Sequence, residues 1–574
     1  MASPSSSSSS SYSSSSLVVV LLILLSSILF SKALDLQSSS SVSSAHEPHI
    51  PPHLKSTCES TPHPEACFDS LKLSLSISIN PTIAILLIQS LRLALTQVSK
   101  LSILLAQAGP GTITETQRGA LDDCRDLHQI SISSIQKSLS RIGQNSNHRQ
   151  LSDAKVFLSA ALTNKNTCLE GLDTASGPLK PLLVNSLNSA YQYVSNSLSL
   201  LSNTKLNNMP QDEGGLNKKR RRLLGQPSWM SKKDRRILQS GGDDDGDEYD
   251  PSKVFIVAGD GSGNFTSIME AVNFAPNNSE DRILIFIREG VYNENVVISS
   301  YKTNIVFLGD GSDVTVITGN RSVGDGWTTF RSATVAVSGD GFLARDISFV
   351  NTAGPEKHQA VALRINADLT AVYKCTITGY QDSLYVHSFR QFYRECDISG
   401  TIDFIFGNAA VVIQAGNIIA RLPMHNQFNA ITAQSRDSPD EDTGMSIQNC
   451  SIIASDDLYN ANTKGGNMSG NGLVVKSYLG RPWRPYSRTV YMESFIDDFI
   501  DPSGWKEWSG DVGLDTLYYG EYSNNGPGSV TDNRVGWMGY HVMDYDDASN
   551  FTVSQLIVGD EWLDATSFPY DDGV

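Results

Sequence analysis

Two segments of the chain, CTITGYQDSLY (375–385) and CDISGTIDFIF (396–406), are versions of one another. Cys375 falls on Cys396, Gly379 on Gly400 and Asp382 on Asp403, each pair 21 residues apart. About 20 residues further on comes AGNIIA (415–420), where the pattern recurs without the cysteine or the aspartate. A period near 20 made of short strands suits a right-handed parallel β-helix, in which each coil stacks on the last. Stacked strands lie about 4.8 Å apart, so Asp382 and Asp403 are expected as vertical neighbours on one face. That placement bears on an anomaly. Asp403 sits in an apolar run, GTIDFIFGNA (400–409), and a lone buried carboxylate costs several kcal/mol or takes up a proton. Two carboxylates one coil apart do not titrate alike: one holds a proton while the other stays ionised. The pair then offers a nucleophile or base beside an acid. A plain ladder of aspartates capping backbone N–H groups is the alternative.

The neighbours of the pair favour chemistry. Gln381 adjoins Asp382, and Gln359 lies 23 residues before Asp382, about one coil earlier. Their amide N–H groups suit an oxyanion. The stretch LGRPW (479–483) offers Arg481, a guanidinium to hold a carboxylate, and Trp483, a ring to stack on a sugar.

From Lys253 onward the chain is a succession of short β-rich runs such as RILIFI, NIVFLG, VTVITG and AAVVIQAGNIIA, with no amphipathic helix of any length expected among them. Residues 251–574 carry 21 Lys+Arg against 40 Asp+Glu, a net charge of −19, which argues against nucleic acid as a partner. Residues 50–205 are different. They are rich in Leu, Ser, Ala and Gln, and segments such as PTIAILLIQSLRLALTQVSKLSILLAQ, stopped by Gly109-Pro110-Gly111, place apolar residues at helical spacing. A small helical bundle is expected there. Of the seven cysteines, Cys58, Cys67, Cys124 and Cys168 form an even group that suggests two disulfides in an oxidising compartment. No C-x-x-C pair exists, so no metal site is expected.

The joint, 206–250, contains KKRRRLLG, KKDRRIL and GGDDDGDEYD and little apolar content. It reads as a solvated linker whose dibasic pairs are open to processing proteases. Residues 1–33 carry a serine tract and an apolar run of fourteen residues, LVVVLLILLSSILF, short of the about 20 that span a membrane. They read as a secretory signal peptide or, since the n-region has no Lys or Arg, as a signal-anchor. Six N-x-[ST] sequons, at Asn264, Asn277, Asn320, Asn449, Asn467 and Asn550, agree with export.

Taken together, GYQDSLY, GTIDFIFGNA, LGRPW, AGPEKHQAVALR (353–364), GDGSGNFTSI (259–268) and GVYNE (290–294) resemble the signature stretches of plant pectin methylesterases. The likeness covers essentially all of 251–574. Residues 50–205 resemble the pectin methylesterase inhibitor domain in the C-x8-C of Cys58 and Cys67, in ALDDC (120–124) and in FLSAALTNKNTC (157–168). The resemblance implies a pro-enzyme of the cell wall, acting on methyl-esterified homogalacturonan without metal or other cofactor. It implies that Asp403 is the nucleophile on the C6 methyl ester, that Asp382 is the proton donor, and that Gln381 with Gln359 holds the oxyanion. Arg481 would orient and ionise Asp403, Trp483 would form a sugar platform, and Thr329 in GWTTF would touch substrate. Partners implied are its own inhibitor-like domain, separate proteinaceous inhibitors and a subtilisin-like protease cutting at Arg221-Arg222-Leu223-Leu224 or Arg235-Arg236-Ile237-Leu238. Two positions depart from the pattern: Ser383 replaces a threonine, and Gly416 stands where many relatives have a cysteine paired to the one at 396. Three free thiols are therefore expected in 251–574, with Gly416→Cys expected to restore a bridge. Rival readings are another β-helical pectin-active enzyme, a glycosidase or a lyase, and a non-enzymatic wall protein acting through its inhibitor-like domain.

Overall fold

A computed structural model describes residues 50–78, 81–143, 146–203, 254–468 and 474–574. The signal or anchor segment 1–33 and the basic and acidic joint 206–250 lie outside the described residues.

Residues 50–203 form helices, as the 3.6-residue periodicity predicts: α1 (Pro52–Glu59), α2 (Pro64–Ile77), α3 (Ile83–Gln107), α4 (Ala120–Arg141), α5 (His148–Asp173) and α6 (Lys180–Asn203). Local signals set the ends. Thr82 accepts a hydrogen bond from the Ile85 N–H at the start of α3, and Asn147 with Gln150 makes a reciprocal capping box at the start of α5. The two expected disulfides are present. Cys58–Cys67 ties α1 to α2, and Cys124–Cys168 ties α4 to α5 across 44 residues. Closing a loop of that size stabilises the bundle by about 4 kcal/mol in the chain-entropy account.

The rest of the described chain is a parallel β-helix. Its strands form three sheets, of eleven, eight and seven strands, and every strand pair within them is parallel. One coil takes a strand from each sheet in turn: Thr370–Tyr373, Thr376–Thr378 and Leu384–Val386, then Arg390–Arg394, Asp397–Gly400 and Ile402–Gly407. The 21-residue repeat is the inter-coil register itself. Val372 pairs with Tyr393, Ile377 with Ile398 and Leu384 with Ile405. The corner between the first two strands of a coil needs a left-handed residue. Lys374 (φ 51°), Glu395 (φ 51°), Ala415 (φ 55°), Asn449 (φ 52°) and Glu493 (φ 53°) fill it on successive coils. This corner splits AAVVIQAGNIIA into Ala410–Gln414 and Asn417–Ala420.

Two expectations are corrected. Helices do interrupt the β-rich half: Ile268–Phe274 lies near its start, and Asp456–Met468 is inserted between two strands of successive sheets. Neither disturbs the register: the first lies between the paired strands Val254–Val257 and Ile283–Ile287 and packs Ile268, Ala271 and Val272 on the core, and the second leaves the coil at a corner. The second correction concerns Gly416. The residues after the left-handed corner stack as an interior column in which Gly416 lies between Cys396 and Cys450, as the pairing of Asp397, Asn417 and Ser451 dictates. Cys375, Cys396 and Cys450 are free and buried, as expected. A Cβ at Gly416, however, would lie 2.4 Å from the Cys396 carbonyl oxygen and 3.1 Å from its nitrogen. The coils approach so closely there that Gly416→Cys cannot enter without moving backbone, so the substitution does not offer an unstrained bridge.

Denatured, unreduced protein should therefore titrate three thiols; one or five would contradict the disulfide assignment. Gly416→Cys should lower stability in urea unfolding by about 1–3 kcal/mol, the usual cost of overpacking. A gain would show that the column accepts a bridge.

Candidate active site

The 21-residue register delivers Asp382 and Asp403 to adjacent coils at the seven-stranded sheet. Asp382 precedes the strand Leu384–Val386, and its N–H donates to the Ile402 carbonyl at 3.0 Å. Asp403 lies inside Ile402–Gly407, where the pairing with the next strand slips between Ile402 and Ile405. Such a bulge re-aims a side chain. Both residues are left-handed, with φ of 64° and 52°. That conformation costs a non-glycine residue about 1–2 kcal/mol, and aspartate tolerates it better than most. The Ser383 hydroxyl donates to the Tyr380 carbonyl at 3.1 Å, so the hydroxyl chemistry at that position is kept.

Both carboxyls are buried, 7% exposed for Asp382 and 5% for Asp403. Arg481 grips Asp403 with two parallel bonds, Nε to Oδ1 at 2.8 Å and Nη2 to Oδ2 at 2.6 Å. Their environments differ accordingly. Burial first, and then the charge of Asp403, push the Asp382 carboxyl well above the ordinary carboxylate range. Burial also raises Asp403, but the hydrogen bonds and charge of Arg481 pull it back. The arrangement favours a protonated Asp382 beside an ionised Asp403.

A cavity of about 360 Å³ opens over the pair. Gln359, Gln381, Thr329, Arg481 and Trp483 all line it with the two aspartates, so every residue singled out in the sequence meets at one place. Gln359 and Gln381 stand on neighbouring coils, linked where the Ala360 N–H donates to the Gln381 carbonyl. Sequence reasoning missed the aromatic wall. Tyr385 stacks on Phe406 at 4.1 Å, Phe406 tilts against Trp483, and Trp483 stacks on Trp508 at 6.4 Å. Tyr385 and Phe406 follow their aspartates by three residues and share the 21-residue offset, so the repeat held a signal for them. Trp508 comes from an aperiodic loop and had none.

The helical region completes the cavity. Thr167, Glu170 and Gly171 of the end of α5 and its C-cap Thr174 line it, with Gln117 just ahead of α4 and Asp123 in its first turn. Glu170 pairs with Arg484, and the Thr167 hydroxyl meets His387 Nε2 at 2.9 Å. Further out, Arg390 bridges Asp153 of α5 and Asp368, and Phe157 packs edge-on against Phe389. Among the described residues no cluster of His, Cys, Asp and Glu suited to a metal ion is found.

Comparison with known proteins agrees with this geometry. Residues 254–560 match the Pectinesterase family, and residues 52–200 match the family described as plant invertase/pectin methylesterase inhibitor. A probable pectinesterase/pectinesterase inhibitor 12 of Arabidopsis thaliana is 60% identical over 92% of this chain and 96% of its own length. Pectinesterase 2 of Citrus sinensis is 43% identical over 95% of this chain and 99% of its own. The solved pectin methylesterase from carrot is 51% identical, with a TM-score of 0.54, and covers 56% of this chain and 98% of its own. On the length and order of these matches, the chain belongs to the pectinesterase family, with an inhibitor-family domain ahead of its catalytic β-helix.

Proposed function

We propose that this chain is a secreted wall pro-enzyme that hydrolyses the C6 methyl esters of homogalacturonan by covalent catalysis at Asp403. The observation that carries the reading is the pair of buried carboxyls held unequal by the Arg481 fork. Ionised Asp403 attacks the ester carbonyl carbon, and the carbonyl π electrons move to oxygen. The amides of Gln381 and Gln359 are the donors available to that oxyanion. Collapse breaks the C–O bond to the methoxy group, which leaves as methanol with the proton of Asp382. The Asp382 carboxylate then takes a proton from water, whose hydroxide attacks the acyl carbon. The bond to Asp403 breaks, releasing the galacturonate carboxyl and restoring both aspartates. Trp483, backed by Trp508, is the platform for the sugar ring, and Thr329 contacts substrate.

The same reading covers the domains. Residues 1–33 direct export, 50–205 form an inhibitor-like bundle, 206–250 are cut after one of the two dibasic pairs, and 251–574 are the enzyme. Exposed side chains at Asn264, Asn277, Asn320, Asn449 and Asn550 are compatible with glycosylation in the secretory route. In the uncut chain the bundle occupies the cavity mouth, which supports inhibition in cis. Its release by a processing protease opens the groove to pectin and to separate proteinaceous inhibitors.

Asp403→Asn and Asp382→Asn should each lower methanol release from methylated pectin by about a hundredfold or more, with urea unfolding still cooperative. A variant keeping a tenth of the rate would refute its role. Cutting the chain within 206–250 should raise methanol release; equal rates before and after separation of the halves would exclude inhibition in cis. The pH profile follows from the signs. Asp403 acts ionised, so activity falls as pH drops through its value; Asp382 acts protonated, so activity falls as pH rises through its own. Arg481 lowers Asp403, and Arg481→Lys loses the planar fork. The variant should be slow and its acid limb should move to higher pH. An unmoved limb would mean that Arg481 does not set the ionisation of Asp403.

A further inference from the structure

One interior column of the solenoid ends on an acid. It runs through Tyr393, Ile413, Ile447 and Tyr491, each in register with the next on successive coils, and closes on Glu521 in the strand Tyr518–Tyr522. Arg534 reaches Glu521 with a fork, Nε to Oε1 at 2.8 Å and Nη2 to Oε2 at 3.0 Å, and both side chains are 2% exposed. Neither residue lines the catalytic cavity. A buried ion pair is weak evidence of stability, since apolar residues of similar volume often do as well or better there. What the fork does supply is a fixed geometry.

That geometry is passed to one segment of chain. Arg534 Nη1 donates to the Pro502 carbonyl at 3.1 Å, and the Val535 N–H donates to the Ser503 carbonyl at 3.1 Å. Gly504 is left-handed (φ 70°), and a Cβ there would run into Arg534 Cδ, so the segment is shaped around the guanidinium. The next residue, Trp505, is 1% exposed, donates through Nε1 to Glu521 Oε1 at 3.2 Å and stacks on Tyr519 at 4.1 Å. One carboxylate thus takes both Arg534 and Trp505, with the Tyr540 hydroxyl as a further donor at 3.2 Å.

The segment so held lies against the strand that delivers Arg481. The Asp501 N–H donates to the Ser477 carbonyl at 2.8 Å, the Leu479 N–H to the Gly504 carbonyl at 2.8 Å, and the Lys506 N–H to the Gly480 carbonyl at 3.0 Å. Trp505 pairs in parallel register with Gly480, the residue before Arg481. Three residues beyond Trp505, the Trp508 ring lies 4.1 Å from the Arg481 guanidinium and stacks on Trp483. Trp508 is 37% exposed, so its place is set by the segment that carries it and not by packing in the core.

Building on the pectinesterase reading, we infer that Glu521 and Arg534 are positioning residues for the esterase reaction: through Trp505 they hold the segment 500–508 against Ser477–Gly480, so that Trp508 backs Arg481 in the orientation from which it grips both oxygens of Asp403. Neither residue touches substrate or the reacting atoms. Removing the charge of Glu521 leaves Arg534 buried and unpaired, and the segment shifts with it. Arg481 then holds Asp403 less closely, Asp403 binds its proton more readily, and less of the enzyme carries an ionised nucleophile at a given pH.

Methanol release from methylated pectin is followed against pH in the full chain cut within 206–250, wild type and variants in parallel. Glu521→Gln keeps the shape of the side chain and removes its charge. Its kcat should fall about tenfold or more, the scale of losing a charged hydrogen-bond partner, and its acid limb should move to higher pH, in the same sense as that of Arg481→Lys. Trp505→Phe keeps a ring over Tyr519 and deletes the Nε1 donor; its acid limb should move the same way by less. Combining variants separates action through Arg481 from general loosening. Glu521→Gln added to Arg481→Lys should cost no more than about twofold beyond Arg481→Lys alone, because residues coupled through one contact are not additive. Unmoved acid limbs in Glu521→Gln and Trp505→Phe, or a further loss of about tenfold in the combined variant, would overturn the inference. If Glu521→Gln fails to fold, the acid limb of Trp505→Phe decides alone. A wild type that releases no methanol would overturn the pectinesterase reading itself, whereas normal release with unmoved limbs removes only the positioning role.

Discussion

The hydrogen-bonded register between successive coils is the constraint on which everything else rests. Leu384 pairs with Ile405 and Tyr385 with Phe406, and this alone brings two aspartates 21 residues apart to within one strand spacing. The sheet does not merely support them. The slip of register after Ile402 and the left-handed backbone at both aspartates aim them. Strain of this kind persists only where surrounding pairing over-determines the conformation. Here parallel neighbours on both sides of each coil do so.

Given that placement, electrostatics divides the labour. Burial alone would protonate both carboxyls. The bidentate Arg481 breaks the symmetry because it reaches both oxygens of Asp403 and hydrogen-bonds neither oxygen of Asp382. The residue that makes the pair chemically unequal lies far along the sequence, at 481, and reaches the site because its strand, Ser477–Gly480, pairs with Asn429–Gln434, itself the neighbour of Ile402–Gly407. The aromatic stack from Tyr385 to Trp508 then presents ring faces along the cavity.

Much of this was legible in the chain, for a definite reason. A solenoid repeats its register in its sequence, so the offset shared by Cys375/Cys396, Gly379/Gly400 and Asp382/Asp403 reported the stacking and the site together. What was not legible lacked a period. Trp508 belongs to an irregular loop, and the helix Asp456–Met468 is an insertion that leaves at a corner and returns without changing phase. Gly416 was misread for a subtler reason. The sequence shows that a cysteine is missing from the column but not that the Cys396 carbonyl lies where a Cβ would go.

The two halves are chemically complementary where they meet: α4 brings Asp123 and Asp126 to Arg331, and α5 brings Glu170 to Arg484. The catalytic account, however, depends on one asymmetry, and it can be observed directly. Carbon-13 NMR titration of aspartate-labelled enzyme, with the two signals assigned by their loss in Asp382→Asn and Asp403→Asn, reads the protonation of each carboxyl. At neutral pH the account predicts a protonated Asp382 and an ionised Asp403. Two ionised carboxylates, or the reverse order, would contradict it.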